Sequence, residues 1–436
     1  MQAQLTHLRN APAQYAPEAS QLLCTFAMTL NGHIATISGM GSHATKDKPA
    51  TIAALAGARA IPPLLIVLYH YGEGHQYSGV AMLDLVLARG YLWVEFFFAL
   101  SGFILTHVYA SRVTELWTAR GYGSFIKARL IRLYPVHLFM LLALLVLMVA
   151  VSGFSQWDGS ISFYNRPAYH PDMGLTGLIA SLFLVHGWDT LPRLTWNGAS
   201  WFVSVEFALC LLFPLFIWLQ HGRVWRGVAL IAAGVSGLLL LLATSEHGLD
   251  LTYTKGVPRG LANFAIGVGM ARLFVEFRKG KIPVWVHSAL QVGLVAFMLF
   301  VFTNTGWTHT GRDILSALAA QALILALAFD KGLVADLLAM RMPQALGEWS
   351  YGIYMGQTLW LHLIRVIEYR FHPSGDTLIL GMPFSSIIGW VEPLGLLLAC
   401  TLWGAFLAER IEKPAAKWLR IKLDQPRRAA PPSGIT

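Results

Sequence analysis

Charge is what this sequence lacks. Only 13% of its 436 residues are Asp, Glu, Lys or Arg, about half the ~25% of an ordinary soluble domain. That share cannot clothe a soluble protein of this size, and 56% of the residues are hydrophobic. The mean hydropathy is +0.55. A disordered chain, a secreted disulfide scaffold and a nucleic-acid-binding protein are excluded. Cysteine is scarce too. Cys24, Cys210 and Cys400 lie far apart, two of them inside apolar runs. Neither a metal spacing nor a disulfide framework follows, and they read as small apolar core residues. There is no HExxH, no Walker loop, no GxSxG and no repeat of 20–50 residues. No metal or bound cofactor is expected. Acidic residues are fewer than basic ones, 23 against 32, giving +9. A polyanion partner would explain that surplus. Lys and Arg held in the cytoplasmic loops of a membrane protein explain it better.

What is present is a series of apolar runs. A membrane helix needs about 20 mostly apolar residues. Candidates lie near 52–71, 90–110, 133–152, 201–219, 227–244, 258–275, 284–303, 312–329, 346–366 and 387–408. A shorter piece, 176–187, is too brief for a span. Basic residues concentrate in 111–132, 220–226, 272–281, 330–343 and the C-terminal tail. If 176–187 does not cross, all five fall on one side. If it crosses, the pattern breaks from there on. The positive-inside rule therefore predicts an all-α integral membrane protein with about ten transmembrane helices and both termini cytoplasmic. The piece 176–187 becomes a short interfacial or re-entrant helix. The outer segment 153–200 then holds Trp157, Tyr164, Tyr169, Trp188 and Trp196. These suit a membrane boundary or a surface for stacking glycans.

The domain expectation is a poorly ordered extension over 1–50, a membrane domain over 51–410 and a basic cytoplasmic tail over 411–436. The first 50 residues show no basic region followed by an apolar core and cleavage site. Met40 begins a more plausible leader, so 1–39 reads as a disordered extension or the product of a mis-set start codon.

The few charges inside the spans become site candidates, because each is costly in a bilayer. Arg59 and His70 are eleven residues apart, about 20° past three full turns. An unbroken helix would put them on one face, although Pro62 and Pro63 between them can kink it. Glu95 stands between Trp93 and Phe96 and needs a partner. Close by, Ser101 and Gly102 offer a small-residue contact for another helix. Arg129 and Arg132 share a face at i, i+3, and paired guanidiniums suit phosphate recognition. Glu206 lies about one and a half turns after Trp201, near the outer end of its span. Arg259 and the group Glu348, Tyr351, Tyr354 and Gln357 complete the set.

In order along the chain, these motifs resemble the acyltransferase type 3 family of integral-membrane enzymes. Arg59-x10-His70 is similar to that family's Arg/Lys-x10-His motif. The block YLWVEFFFALSGFILT resembles its acidic Phe-Phe…Leu-Ser-Gly-Phe block, with Glu95 in the acidic place. Arg129-x-x-Arg132 before Leu-Tyr-Pro is similar to its cytoplasmic Arg-x-x-Arg. NGASWFVSVEF resembles its Trp-Ser-Leu-Ser-Val-Glu block, through Trp201, Ser204 and Glu206. LGEWSYGIYMGQ resembles a late Ser-Tyr-x-x-Tyr-x-x-His block. The likeness covers about residues 50–415. Two departures stand out: Gln357 replaces a frequent His, and Phe202 replaces a small polar residue.

The resemblance implies transfer of an acyl group, acetyl being the expected one, from cytoplasmic acyl-CoA to a sugar hydroxyl. The acceptor would be a cell-surface or exported polysaccharide or a glycolipid, at a bacterial inner membrane, with polysaccharide-synthesis machinery as a possible partner. Arg59, Arg129 and Arg132 would bind the acyl-CoA phosphates. His70 would be general base, and Glu206 or Glu95 would orient or balance its imidazole. Trp201, Ser204, Tyr354 and Gln357 would bind substrate, and Ser101 and Tyr354 are candidate oxyanion donors. Two rival classes stay open: a transporter or flippase of lipid-linked sugar, and a membrane acyltransferase with a lipid or protein acceptor.

Overall fold

The computed structural model describes residues 51–72, 81–158, 174–371, 378–379 and 382–424, without the side chains of 152–158, 366–371, 378–390 and Asp424. Outside the described residues lie the expected N-terminal extension with Cys24 and Met40, the outer-loop aromatics Tyr164 and Tyr169 together with the side chain of Trp157, and tail residues 425–436.

The chain is an all-α membrane protein. Among the described residues, nine helices are long and apolar enough to cross a bilayer. The first is interrupted: α1 (Ala53–Ala58) gives way to α2 (Ile61–Gly72). Pro62 and Pro63 have no N–H, so the carbonyls of Ala58 and Arg59 lose their usual helical donors. The chain bridges the gap with a tight bond from Ala60 N to Gly57 O. Arg59 therefore sits at a break in the hydrogen-bond ladder that separates it from His70.

After α3 (Ala81–Leu87) come α4 (Trp93–Tyr109), the short α5 (Val113–Leu116) and α6 (Ala119–Asp158). The 40 residues of α6 would run about 60 Å, twice the hydrocarbon thickness, so its N-terminal turns stand outside the bilayer. The next helix, α7 (Leu175–Leu182), has eight residues. Its rise of about 12 Å cannot cross, as the charge pattern of the loops required. Five more spans follow: α8 (Trp201–Gln220), α9 (Val224–Ala243), α10 (Gly256–Phe277), α11 (Val284–Thr303) and α12 (His309–Leu327).

Beyond α13 (Leu333–Leu338), α14 (Arg341–Phe371) contains the expected span 346–366. It is long enough to cross, but Glu348, Gln357 and His362 set it apart from the nine more apolar helices. A two-residue pairing of Leu378–Ile379 with Met382–Pro383 precedes α15 (Phe384–Phe406). That helix runs through a π-helical turn, Leu407–Glu412, into the basic amphipathic α16 (Lys413–Asp424).

The centre is the crossing of α4 with α10, where glycines replace side chains. A Cβ on Gly267 would lie 1.9 Å from the Ala99 carbonyl oxygen, and one on Gly102 2.4 Å from that of Phe264. The small-residue contact expected at Ser101-Gly102 is real, and its partner is α10. Two apolar cores flank it. One gathers Phe96, Leu100 and Phe103 with Ile266, Met270 and Ile324. The other joins Ile66, Phe98, Trp201, Phe213 and Tyr354.

Candidate active site

Three arginines, Arg59 from the break in the first span and Arg129 and Arg132 from α6, surround two carboxylates. Arg59, at the break between α1 and α2, is half-buried and interacts electrostatically with Arg132, Glu412 and Glu206. Glu206, on α8, in turn feels Arg129, Arg132 and Arg59. One Glu206 oxygen accepts a short hydrogen bond from the Ser101 hydroxyl of α4. The other is buried with no partner among the described residues. Arg129 lies over the Phe125 ring, 5.7 Å from its centroid. Its Nε is buried and also unpartnered. Arg132 Nη1 stands 3.6 Å from Glu412 Oε1. Tyr351 donates to the Leu133 carbonyl at 2.6 Å, tying α14 to α6 beside Arg132. The electrostatic neighbours of Glu206 are thus the arginines. Glu412 escaped the sequence reading, because in the series Glu409–Lys413 it looks like ordinary flanking charge.

A second ionic group lies deeper. Glu95 and Arg259 are both inaccessible to solvent. Arg259 donates from Nε to Glu95 Oε1 at 2.6 Å, and its Nη2 is 2.5 Å from the same atom. Its remaining donors reach the Leu251 carbonyl at 2.6 Å and the Tyr91 carbonyl at 2.9 Å. The second Glu95 oxygen accepts a short bond from the Asn263 amide, and Gln321 donates to Asn263 Oδ1 at 2.6 Å. Both oxygens of Glu95 are therefore engaged, so its partner is Arg259 and not an imidazole. The sequence singled out Arg259 as an intramembrane charge; nothing in its spacing from Glu95, 164 positions away, announced the pairing.

His70 is half-buried in the last turn of α2, 5.0 Å from the Tyr69 ring between centroids. Ile66, one turn earlier on the same face, packs in the core of Val94, Phe98, Trp201 and Tyr354. His70 follows that apolar floor. Trp201 meets Phe98 edge-on, and its ring lies 5.7 Å from the Arg259 guanidinium carbon. Tyr354 meets Phe202 edge-on at 5.6 Å and makes no hydrogen bond among the described residues. Gln357 is 1% exposed, and neither amide atom has a partner among the described residues.

Ser204 has a different place from the substrate contact expected of it. Its hydroxyl accepts from Gly187 N at 2.9 Å and donates to the Leu184 carbonyl at 2.7 Å. Both bonds bolt the segment that follows α7 to α8. The same segment carries His186, whose Nε2 is 2.8 Å from the Ser200 hydroxyl and whose ring stacks on His137 at 5.9 Å. Burial, and then the neighbouring His137, pushes the His186 imidazole down to about 3. Among the described residues no group of three His, Cys, Asp or Glu could hold a metal ion.

Helices crossing at a buried ionic centre, with a cluster of arginines beside it, define a multi-pass membrane protein. A family model described as an acyltransferase domain matches residues 52–410. The chain belongs to this acyltransferase type 3 family and is a membrane acyltransferase. It is 26% identical to acyltransferase MdmB of Streptomyces mycarofaciens over 84% of its own length and 92% of that protein's. It is 30% identical to protein 2 in the picA locus of Rhizobium radiobacter, over 46% of this chain and 99% of that one. A putative O-acetyltransferase of Staphylococcus aureus is 22% identical over 74% of this chain and 52% of its own length. No solved structure matches.

Proposed function

We propose that the protein moves an acyl group, acetyl first among candidates, from cytoplasmic acyl-CoA to a sugar hydroxyl of a polysaccharide or glycolipid at the bacterial inner membrane, with both termini cytoplasmic. The observation that carries this reading is the convergence of Arg59, Arg129 and Arg132 around Glu206. Three guanidiniums at a half-open site suit a donor rich in phosphate. The naming of one relative as a putative O-acetyltransferase supports hydroxyl as acceptor and acetyl as cargo.

In this mechanism the arginines hold the nucleotide phosphates and the pantetheine arm extends between the helices toward His70. His70 removes the proton from the acceptor hydroxyl, whose oxygen attacks the thioester carbonyl. The carbon–sulfur bond then breaks, and the thiolate takes the proton back from the imidazolium. Tyr354, with its hydroxyl uncommitted, is the better oxyanion donor; the Ser101 proton is already given to Glu206. Glu206 organises the arginines. Glu95 and Arg259 fix the helices behind Trp201. The buried, unpartnered amide of Gln357 is the acceptor-binding group, because leaving both its atoms unsatisfied would cost about 1–3 kcal/mol each. Residues 51–410 form the catalytic unit, and the basic tail lies at the cytoplasmic surface.

Membranes containing the protein are given acetyl-CoA labelled in the acetyl group, and glycan, lipid and protein fractions are separated. Label in the glycan or glycolipid fraction is expected. Label confined to protein or to simple lipids would sink the acceptor assignment. No incorporation with any acyl-CoA would sink the donor.

A further inference from the structure

The two guanidinium–carboxylate pairs differ in kind. Arg259 and Glu95 are buried, close and hydrogen-bonded. Arg132 and Glu412 are 3.6 Å apart with side chains 41% and 14% exposed. At that separation they attract without forming a hydrogen bond. Glu412 also acts electrostatically on Arg59, so one carboxylate attends two of the three arginines. It ends the π-helical turn Leu407–Glu412. Such turns insert one extra residue and re-aim the side chains that follow them. The next residue, Lys413, is held by Glu348 at 2.7 Å and Glu409 at 2.5 Å. Lys413 is therefore not needed as Glu412's partner, and Glu412 is left facing the arginines.

Three positive charges against Glu206 and Glu412 leave the site with a small positive surplus. Glu206 is held by Ser101. Glu412 is the looser and more solvent-facing of the two. We propose that Glu412 is the resident anion of the donor site: it occupies Arg132 and Arg59 when no donor is bound, and a phosphate of the donor displaces it. It is a positioning residue that sets donor affinity by competing for the arginines. This rests on the acyl-CoA reading above. It has an unusual sign, because removing the residue strengthens binding. A purely structural partner of Arg132 would do the reverse, since its loss would leave the arginine disordered.

The test is binding of coenzyme A to the detergent-solubilised full chain, with the KM for acetyl-CoA alongside. Glu412→Gln is expected to lower the dissociation constant and the donor KM about fivefold to tenfold, the change falling on KM and not on kcat. The gain should vanish in the Arg132→Gln background, because the pair acts as a unit. Glu412→Asp, which keeps the charge, should restore a dissociation constant within about twofold of the parent, and it serves if the Gln variant does not fold. A weaker or unchanged affinity in well-folded Glu412→Gln, with the parent binding coenzyme A, overturns this inference alone. So does an Asp variant that binds as tightly as expected for Gln. Absence of coenzyme A binding by parent and variants alike overturns the donor reading and this inference with it.

Discussion

Arg259 Nη2 lies 2.5 Å from Glu95 Oε1, with both side chains essentially closed to solvent. The pair joins α10 to α4, and the other guanidinium donors close on the backbone of Tyr91 and Leu251. The pair thus links the two helices beside the Trp201 ring.

Breaking that pair from one side should be expensive. Arg259→Met leaves Glu95 buried without its counter-ion, and a loss of about 3–5 kcal/mol is expected. Heat-induced aggregation of the solubilised protein should begin at a clearly lower temperature. Adding Glu95→Met to the same chain should recover part of the loss. A single variant as stable as the parent would show that the pair is not structural.

The α4–α10 crossing should tolerate no methyl group. Gly267→Ala places a carbon 1.9 Å from the Ala99 carbonyl oxygen, so the helices must separate. Little folded protein should be recovered from membranes. Gly293→Ala, on the open face of α11 where a Cβ meets nothing within 4 Å, is the control and should express normally.

The donor and base assignments separate kinetically. His70→Ala should abolish acyl transfer while coenzyme A still binds. Arg129→Ala with Arg132→Ala should raise the donor KM at least tenfold, each lost charge-assisted contact being worth about 1.5–3 kcal/mol. Residual turnover by the His70 variant above a vector-only membrane would remove His70 as base. An unaltered donor KM in the double variant would reduce the arginines to flanking charge.

His186 predicts an acid weakness. Its folded-state value is depressed to about 3, against about 6.5 for a free imidazole. The unfolded chain therefore takes up a proton that the fold refuses. Stability from this group is complete above about pH 6.5 and declines as pH falls toward 3, by up to about 1.4 kcal/mol per pH unit. His186→Gln should show a shallower loss over that window. Identical slopes for the two proteins would refute the assignment.

Much of this was legible because charge is rare. Nine of the ten expected spans are long apolar helices among the described residues, and α7 is too short to span, as its brief apolar run suggested. The candidate residues were found for the same reason. Their pairing was not legible. Glu95 meets Arg259 and Glu206 meets Ser101 through helix contacts more than 100 positions apart in sequence, and no local periodicity encodes that. Ser204 sits within a family-like motif, yet its hydroxyl serves the backbone. Pro62 and Pro63 signalled a kink, whereas the angular relation of Arg59 to His70 assumed a continuous helix. Glu412 was hidden in a stretch where charge is common, so its rarity gave no signal.

The π-helical turn Leu407–Glu412 makes the end of the chain sensitive to length as well as to composition. A one-residue deletion within it could relax into a regular α-helix at little local cost. Everything beyond would then rotate by about 100° and shift by about 1.5 Å. Glu412 would swing away from Arg132, and the bond from Lys127 to the Leu423 carbonyl would be carried off with it. Insertions and deletions here therefore act as rotations, and a change that alignment scores as a harmless gap re-indexes the charge at the mouth of the site.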